Sequence, residues 1–284
     1  MIRKLLAVYG LKWNPFTPDM PDDVLWRPPA VENFCWRLEQ KVRDGGFALV
    51  TGDSGTGKSV ALRLLARHLA AIPELVVGVV KRPQSTIVDF YRELGETFGV
   101  SLAMSNYCWT SFKALREKWE AHLATTLWRP VLFVDEVQEM APRVLSELRL
   151  LTSANFDSRS ILTVVLAGDG RLLELFRLPQ LVPLGSRIRT RLTLEYLTPK
   201  ELAEFMHHIL IQAGNPKLMT DGLLTTLCEH AAGNYRVLCN TGAELLAEGC
   251  RREVPQLDEK LYLEVFAPTP KNRNRTSTGS EVRK

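Results

Sequence analysis

The stretch GDSGTGKS, residues 52–59, restricts the fold more than any other part of the 284-residue chain. It satisfies G-x-x-x-x-G-K-[S/T] in full, directly after the apolar run FALV (47–50) and directly before leucines at helical spacing, Leu62, Leu65 and Leu69. Glycines let the backbone curl so that successive N–H groups point inward, Lys58 reaches phosphate oxygens, and the Ser59 hydroxyl suits Mg²⁺. The residues expected to touch a nucleotide are therefore Gly52, Asp53, Ser54, Gly55, Thr56, Gly57, Lys58, Ser59 and Val60.

A strand, loop and helix of this kind need a sheet to belong to. Apolar runs of strand length near 47–51, 75–80, 131–135, 161–167 and 190–194 alternate with helical periodicity over 58–71, 86–98, 111–127 and 142–156. That alternation predicts an α/β domain, a mostly parallel sheet with helices on both faces. After about Tyr196 the pattern is helical only: TPKE (198–201) reads as a capping box with proline at the first helical position, followed by helices over 222–232, 235–252 and 257–266. The expected division is a lead-in segment 1–46 packing on the core, an α/β nucleotide-binding domain 47–195, a small helical domain 196–266 and a disordered tail 267–284.

Charge and composition limit what the chain does. With 45% hydrophobic and 24% charged residues it is an ordinary globular sequence, and no run reaches the length of a membrane span, so a cytoplasmic protein without a membrane partner is expected. The net charge of +4 resides in the tail, where Lys271, Arg273, Arg275, Arg283 and Lys284 face Glu281 alone. Such a tail suits nucleic acid or an acidic partner, or is solvated slack. Five cysteines without a CxxC pair read as buried free thiols, and no histidine pattern suggests zinc.

VLFVDE (131–136) is an apolar strand ending in two carboxylates. Asp135 is placed to hold Mg²⁺ and Glu136 to polarise an attacking water, an arrangement that favours hydrolysis over simple binding. The adjacent Glu also predicts at least one strand between the phosphate-loop strand and this one, with 75–80 as the candidate. Arginines that could steady charge on a transferring phosphate occur at Arg187, in GSRIRTR (185–191), and at Arg236, in GNYR (233–236).

The order of these motifs resembles the AAA+ ATPases. Within them the chain is similar to ExeA-type ATPases and to the transposition ATPase subunits called IstB, TniB and TnsC, through YGLKWNPF, GGFALVTGDSGTGKS, LFVDEVQEM, ELRLLTSANFDS and LTVVLAG, over roughly residues 8–250. The resemblance implies a three-layer P-loop AAA+ (ASCE) domain with a central parallel sheet and an all-helical lid. It implies ATP and Mg²⁺ as cofactors, Arg187 as a finger reaching a neighbouring subunit, and Arg236 as the lid's sensor 2. Sensor 1 falls at Asp169, where relatives carry an uncharged polar residue; a carboxylate cannot donate to phosphate, so it either orients water or senses weakly. The segment from Asn14 to Pro28 resembles the adenine-side lead-in, or is simply apolar packing.

A finger in trans implies a homo-oligomer, a ring or a helical filament. Transposition relatives wrap double-stranded DNA and present it to an integrase-type transposase; secretion relatives continue into a membrane span and a cell-wall domain, neither of which is expected here because the sequence stops at 284. The expectation is thus a DNA-dependent regulator of transposition. The alternatives are a soluble accessory ATPase of a secretion or pilus system and a nucleotide-gated scaffold with little hydrolysis. Lys81 and Arg82, and with them Thr110 and Lys113, are the candidate DNA contacts, each segment having a solvated loop as its plainer reading.

Overall fold

The computed structural model describes residues 2–100 and 108–266. In chain order, α1 (Ile2–Tyr9) and α2 (Pro29–Asp44) precede β1 (Gly46–Gly52) and α3 (Lys58–Ala70). Then come β2 (Val77–Val80), α4 (Ile87–Phe98), α5 (Cys108–Thr126), β3 (Val131–Val134) and α6 (Pro142–Thr152). A hairpin of β4 (Ser153–Ala154) and β5 (Arg159–Ser160) leads into β6 (Thr163–Gly168). Short helices α7 (Arg171–Leu175) and α8 (Val182–Gly185) reach β7 (Ile188–Leu194), and α9 (Pro199–Ala213), α10 (Asp221–Ala231), α11 (Tyr235–Arg251) and α12 (Glu259–Phe266) follow.

Five strands form one parallel sheet in the order β2-β3-β6-β1-β7. The strand between β1 and β3 is therefore β6, which corrects the expectation that 75–80 would fill that place. The reason lies in the side chains: β6 is buried at every position, as a central strand must be, whereas Val79 of β2 is half exposed and belongs at an edge.

Side chains leave the sheet alternately. Ala48, Val50, Phe133 and Val165 enter one core with α2 and α3; Phe47, Leu49, Leu132, Val134, Val164 and Leu166 enter the other with α4, α5 and α6. The result is a three-layer α/β/α sandwich, and the first core runs on without a break into Leu202, Phe205, Leu238 and Leu245 of the helical lid.

Two local expectations differ. The helix expected to reach residue 156 ends at Thr152, because Ser153 is extended and Asn155, Phe156 and Asp157 all take positive φ, turning the chain into the hairpin. The lead-in, expected to pack on the core, divides its contacts. Its α2 packs on β1 and β7, but α1 and Phe16 pack on α11 of the lid, where Gly242 and Gly249 leave room for the Phe16 ring and the Tyr9 hydroxyl. Of the five cysteines, all free, Cys228 and Cys250 are buried, whereas Cys35, Cys108 and Cys239 are half-buried. The tail 267–284 and residues Asn106 and Tyr107 of the second candidate loop lie outside the described residues.

Candidate nucleotide site

The loop after β1 needs its glycines. Gly55 and Gly57 have φ of 87° and 92°, left-handed values that side chains oppose, and a Cβ on Gly52 would lie 2.6 Å from the Leu194 carbonyl. Lys58 is buried and its Nζ donates to the carbonyls of Gly52 (2.7 Å) and Asp53 (2.9 Å), so the ammonium is held across the loop. Thr56 Oγ1 closes the turn by donating to the Asp53 carbonyl at 2.8 Å. A glycine-built turn closed around one fixed cation fits a chain of phosphates.

β3 ends beside it. Ser59 Oγ lies 3.4 Å from Asp135 Oδ2, a hydroxyl and a carboxylate of the hard-oxygen kind that Mg²⁺ takes. Among the described residues no three His, Cys, Asp or Glu side chains cluster as a metal cage, so an ion here would draw its remaining ligands from phosphate and water, the habit of Mg²⁺. Glu136 follows in the left-handed region (φ 49°), a conformation that raises the energy of a residue with a Cβ and that recurs at functional sites. Its backbone N–H donates to Asp135 Oδ1 at 2.8 Å.

Gln138 joins the two strand ends. Its Nε2 donates to the Glu136 carboxylate and its Oε1 accepts from the Asp169 N–H at 3.3 Å. The sequence reading missed it. The only available signal was an amide two residues beyond the acidic pair, and its direction depends on the 3-10 turn Val137–Glu139.

Asp169 stands just past β6. Its carboxylate accepts from Arg171 Nε (2.9 Å) and from the Arg171 N–H (2.9 Å), while Arg171 also pairs with Glu139 at 2.9 Å. The Arg171 hydrogen bonds, and more weakly the charge of Lys58, hold the Asp169 carboxyl below the usual range. It is an ionised acceptor already engaged by a neighbour.

The lid meets the phosphate loop head-on. Asn234 caps α11, accepting from Arg236 N (2.9 Å) and Val237 N (3.2 Å), and with its Nδ2 donates to the Ser54 carbonyl at 3.0 Å. Tyr235 N donates to the Gly55 carbonyl at 3.0 Å, and Arg236 Nη1 donates to Ser54 Oγ at 2.7 Å. Trp26 of the lead-in, Phe205 of α9 and Tyr235 pack edge to face or tilted, with centroids 4.8–6.1 Å apart, and the Tyr235 ring lies against Gly57. The lead-in thereby supplies an apolar wall next to the loop.

Arg187 is elsewhere. Pairing of Phe47 with Ile188 and of Gly52 with Leu194 puts it beside β1 but at the opposite end of the strands, about 16 Å down the strand from the loop. No arginine side chain spans that distance. Its guanidinium pairs with Asp157 and donates to the Pro183 carbonyl, and burial first, then Arg149, press its pKa downward.

Lys81 and Arg82 follow the edge strand β2, with both side chains exposed and, among the described residues, without salt-bridge partners; their backbone N–H groups are capped by Glu93. Phe98 packs on Trp119 at 5.2 Å and Cys108 lies near Tyr91, so α4 and α5 run in the same direction and their first turns lie at the same end. Thr110 is exposed there, and Lys113 pairs with Glu117 at 3.7 Å.

Residues 41–176 match the family model described as an AAA domain. The chain is 30% identical to general secretion pathway protein A of Aeromonas hydrophila over 232 residues, which is 81% of this chain and 42% of that protein, so it spans less than half of that relative's length. Among solved structures it is similar to Cdc6p from Pyrobaculum aerophilum (TM-score 0.67, 14% identity, 86% of this chain and 67% of the other). It is also similar to Drosophila ORC bound to DNA (TM-score 0.67, 19% identity, 93% and 65%). The fold is the three-layer α/β fold of the AAA+ P-loop ATPases.

Proposed function

We propose that this chain is an AAA+ ATPase whose subunits assemble head to tail with ATP on double-stranded DNA, and that it regulates transposition by presenting DNA to an integrase-type transposase. The observation that carries the reading is the position of Arg187, at the end of the strands opposite the phosphate loop. An arginine so placed serves a phosphate only in another subunit, and a contact between unlike edges propagates into a ring or filament.

In this reading the loop from Gly52 to Val60 binds the phosphates and Lys58 faces the β/γ pair. Ser59 and Asp135 would hold Mg²⁺, which when bound would offset phosphate charge. Glu136 takes the proton of the attacking water, Gln138 fixes its carboxylate, Arg236 senses the γ-phosphate from the lid, and the neighbour's Arg187 steadies the charge that develops as the bond breaks. Asp169 orients Arg171 and is not itself a phosphate donor. Lys81, Arg82, Thr110 and Lys113 line the DNA path, touching phosphate without reading bases.

A secretion-system accessory ATPase is the second reading, favoured by the likeness to general secretion pathway protein A. Sedimentation with a non-hydrolysable ATP analogue, with and without duplex DNA over a salt series, separates the two. The proposal expects nucleotide-dependent assembly and duplex binding that weakens with salt, along with phosphate release stimulated by DNA. Assembly without any salt-sensitive duplex binding would favour the secretion reading, and a protein that stays monomeric with nucleotide and DNA would remove both.

A further inference from the structure

The hairpin between α6 and β6 combines features that packing within one subunit does not explain. Asn155, Phe156 and Asp157 all hold left-handed backbone, with φ of 51°, 54° and 71°. Asparagine and aspartate tolerate that region, but phenylalanine does not, and here its ring is fully exposed at 109%. Strain and exposed aromatic surface are both unfavourable for an isolated subunit, and residues kept under such strain cluster at functional contacts.

The turn is otherwise well tied. Ser153 Oγ donates to Asp157 Oδ1 at 2.6 Å, and Ser158 donates to the Asn155 carbonyl through its N–H (3.1 Å) and its Oγ (2.6 Å). It therefore presents Phe156 in a fixed direction. The other Asp157 oxygen pairs with Arg187, which also donates to the Pro183 carbonyl next to the half-exposed Val182. An exposed phenylalanine and an exposed valine thus flank an arginine held by a carboxylate of its own chain. Apolar groups that exclude water around a buried charged contact are the usual construction of an interface centre.

We propose that the hairpin tip is a subunit contact: Phe156 seats on a second copy of this chain, beside that copy's nucleotide edge, and Asp157 restrains Arg187 until the seat is made. This inference rests on the trans role given to Arg187 above. On seating, the guanidinium exchanges one carboxylate for terminal phosphate oxygens, which carry more negative charge and accept bidentate hydrogen bonds. Burial of the phenylalanine ring supplies the favourable term for the exchange.

Two substitutions test this without threatening the fold. Asparagine is at ease in the left-handed region, so Phe156→Asn relaxes the turn, and Asp157→Asn keeps its geometry while removing the charge. Sedimentation with an ATP analogue and Mg²⁺ is compared with affinity for a fluorescent ATP analogue. Phe156→Asn should bind nucleotide like the unaltered chain but need about tenfold more protein to assemble, the loss typical of a buried aromatic anchor. Asp157→Asn should assemble at lower concentration than the unaltered chain. If the unaltered chain assembles and Phe156→Asn does so equally well, the hairpin contact is wrong while the ATPase reading stands. If the unaltered chain never assembles, both are wrong.

Discussion

Asn234 Nδ2 donates to the Ser54 carbonyl at 3.0 Å, so one side chain ties the first turn of the lid helix α11 to the phosphate loop. Its oxygen is occupied at the same time in capping α11, which fixes the direction of the amide. With the Tyr235 N–H and Arg236, this residue forms the route by which a loop displaced by nucleotide would move the lid. Replacement by serine keeps a competent cap but is too short to reach Ser54. Asn234→Ser should melt close to the unaltered chain and release a fluorescent ATP analogue several-fold faster in stopped flow. Asn234→Ala should also lose about 1 kcal/mol of stability with the cap. Equal release rates for Asn234→Ser and the unaltered chain would show that the bond does not couple lid and loop.

Glu136 and Gln138 predict a separation of binding from chemistry. On the proposed roles Glu136→Gln removes the base, and it should lower phosphate release by roughly 100-fold or more, with nucleotide affinity retained. Gln138→Ala leaves the carboxylate in place but unrestrained, so kcat should fall about tenfold while KM stays near its starting value. A Gln138→Ala variant that changes KM alone would mean that the amide acts on binding and not on Glu136.

Much of this site was legible because the phosphate loop and the acidic strand end are local signals, each confined to eight residues or fewer. The five strands of the sheet fell within a few residues of their expected positions for the same reason, since apolar runs of that length have few other fates. Strand order was not legible: the full burial of β6 and the edge position of β2 are properties of the assembled sheet, and both sequences are simply apolar. Gln138 and Arg171 were missed because their long-range partners, the Asp169 N–H and Glu139, follow different strands and come together only through the pairing of β3 with β6. The hairpin was missed because SANFDSRS reads as the end of a helix until Ser153 departs from it.

Arg187 and Glu136 predict rescue by mixing. On the proposed roles, an Arg187→Ala subunit has an intact base but donates no finger, and a Glu136→Gln subunit has the reverse defect. Each alone should be nearly inactive, yet a mixture should recover part of the phosphate release, because some seams join a good base to a good finger. A mixture no more active than the mean of its parents would place Arg187 outside any neighbour's site.

Glu248 predicts an acid limb in lid stability. Hydrogen bonds from Arg251 first and Arg252 second push its carboxyl down to about 2 from 4.5. A carboxyl depressed on folding stabilises the folded state above its unfolded value, and that contribution is lost as pH falls from 4.5 towards about 2. The Tm difference between the unaltered chain and Glu248→Gln should therefore be constant above pH 4.5 and shrink through that window. A difference that persists to the bottom of the window would assign the effect to packing and not to charge.

As proposed DNA contacts, Lys81 and Arg82 predict how duplex affinity responds to salt. Both side chains are exposed, and capping of their backbone N–H groups by Glu93 holds the loop in shape without neutralising it from the side-chain end. A cation that meets phosphate releases a counterion, so its removal flattens the slope of log K against log salt by about 1. Lys81→Ala with Arg82→Ala should weaken duplex binding alike for all sequences and reduce the slope by about 2 per assembled subunit in contact. Lys113 is paired with Glu117, so Lys113→Ala should change the slope less. Filter binding between low and physiological salt reads both effects, and an unchanged slope in the double variant would take this loop off the DNA path.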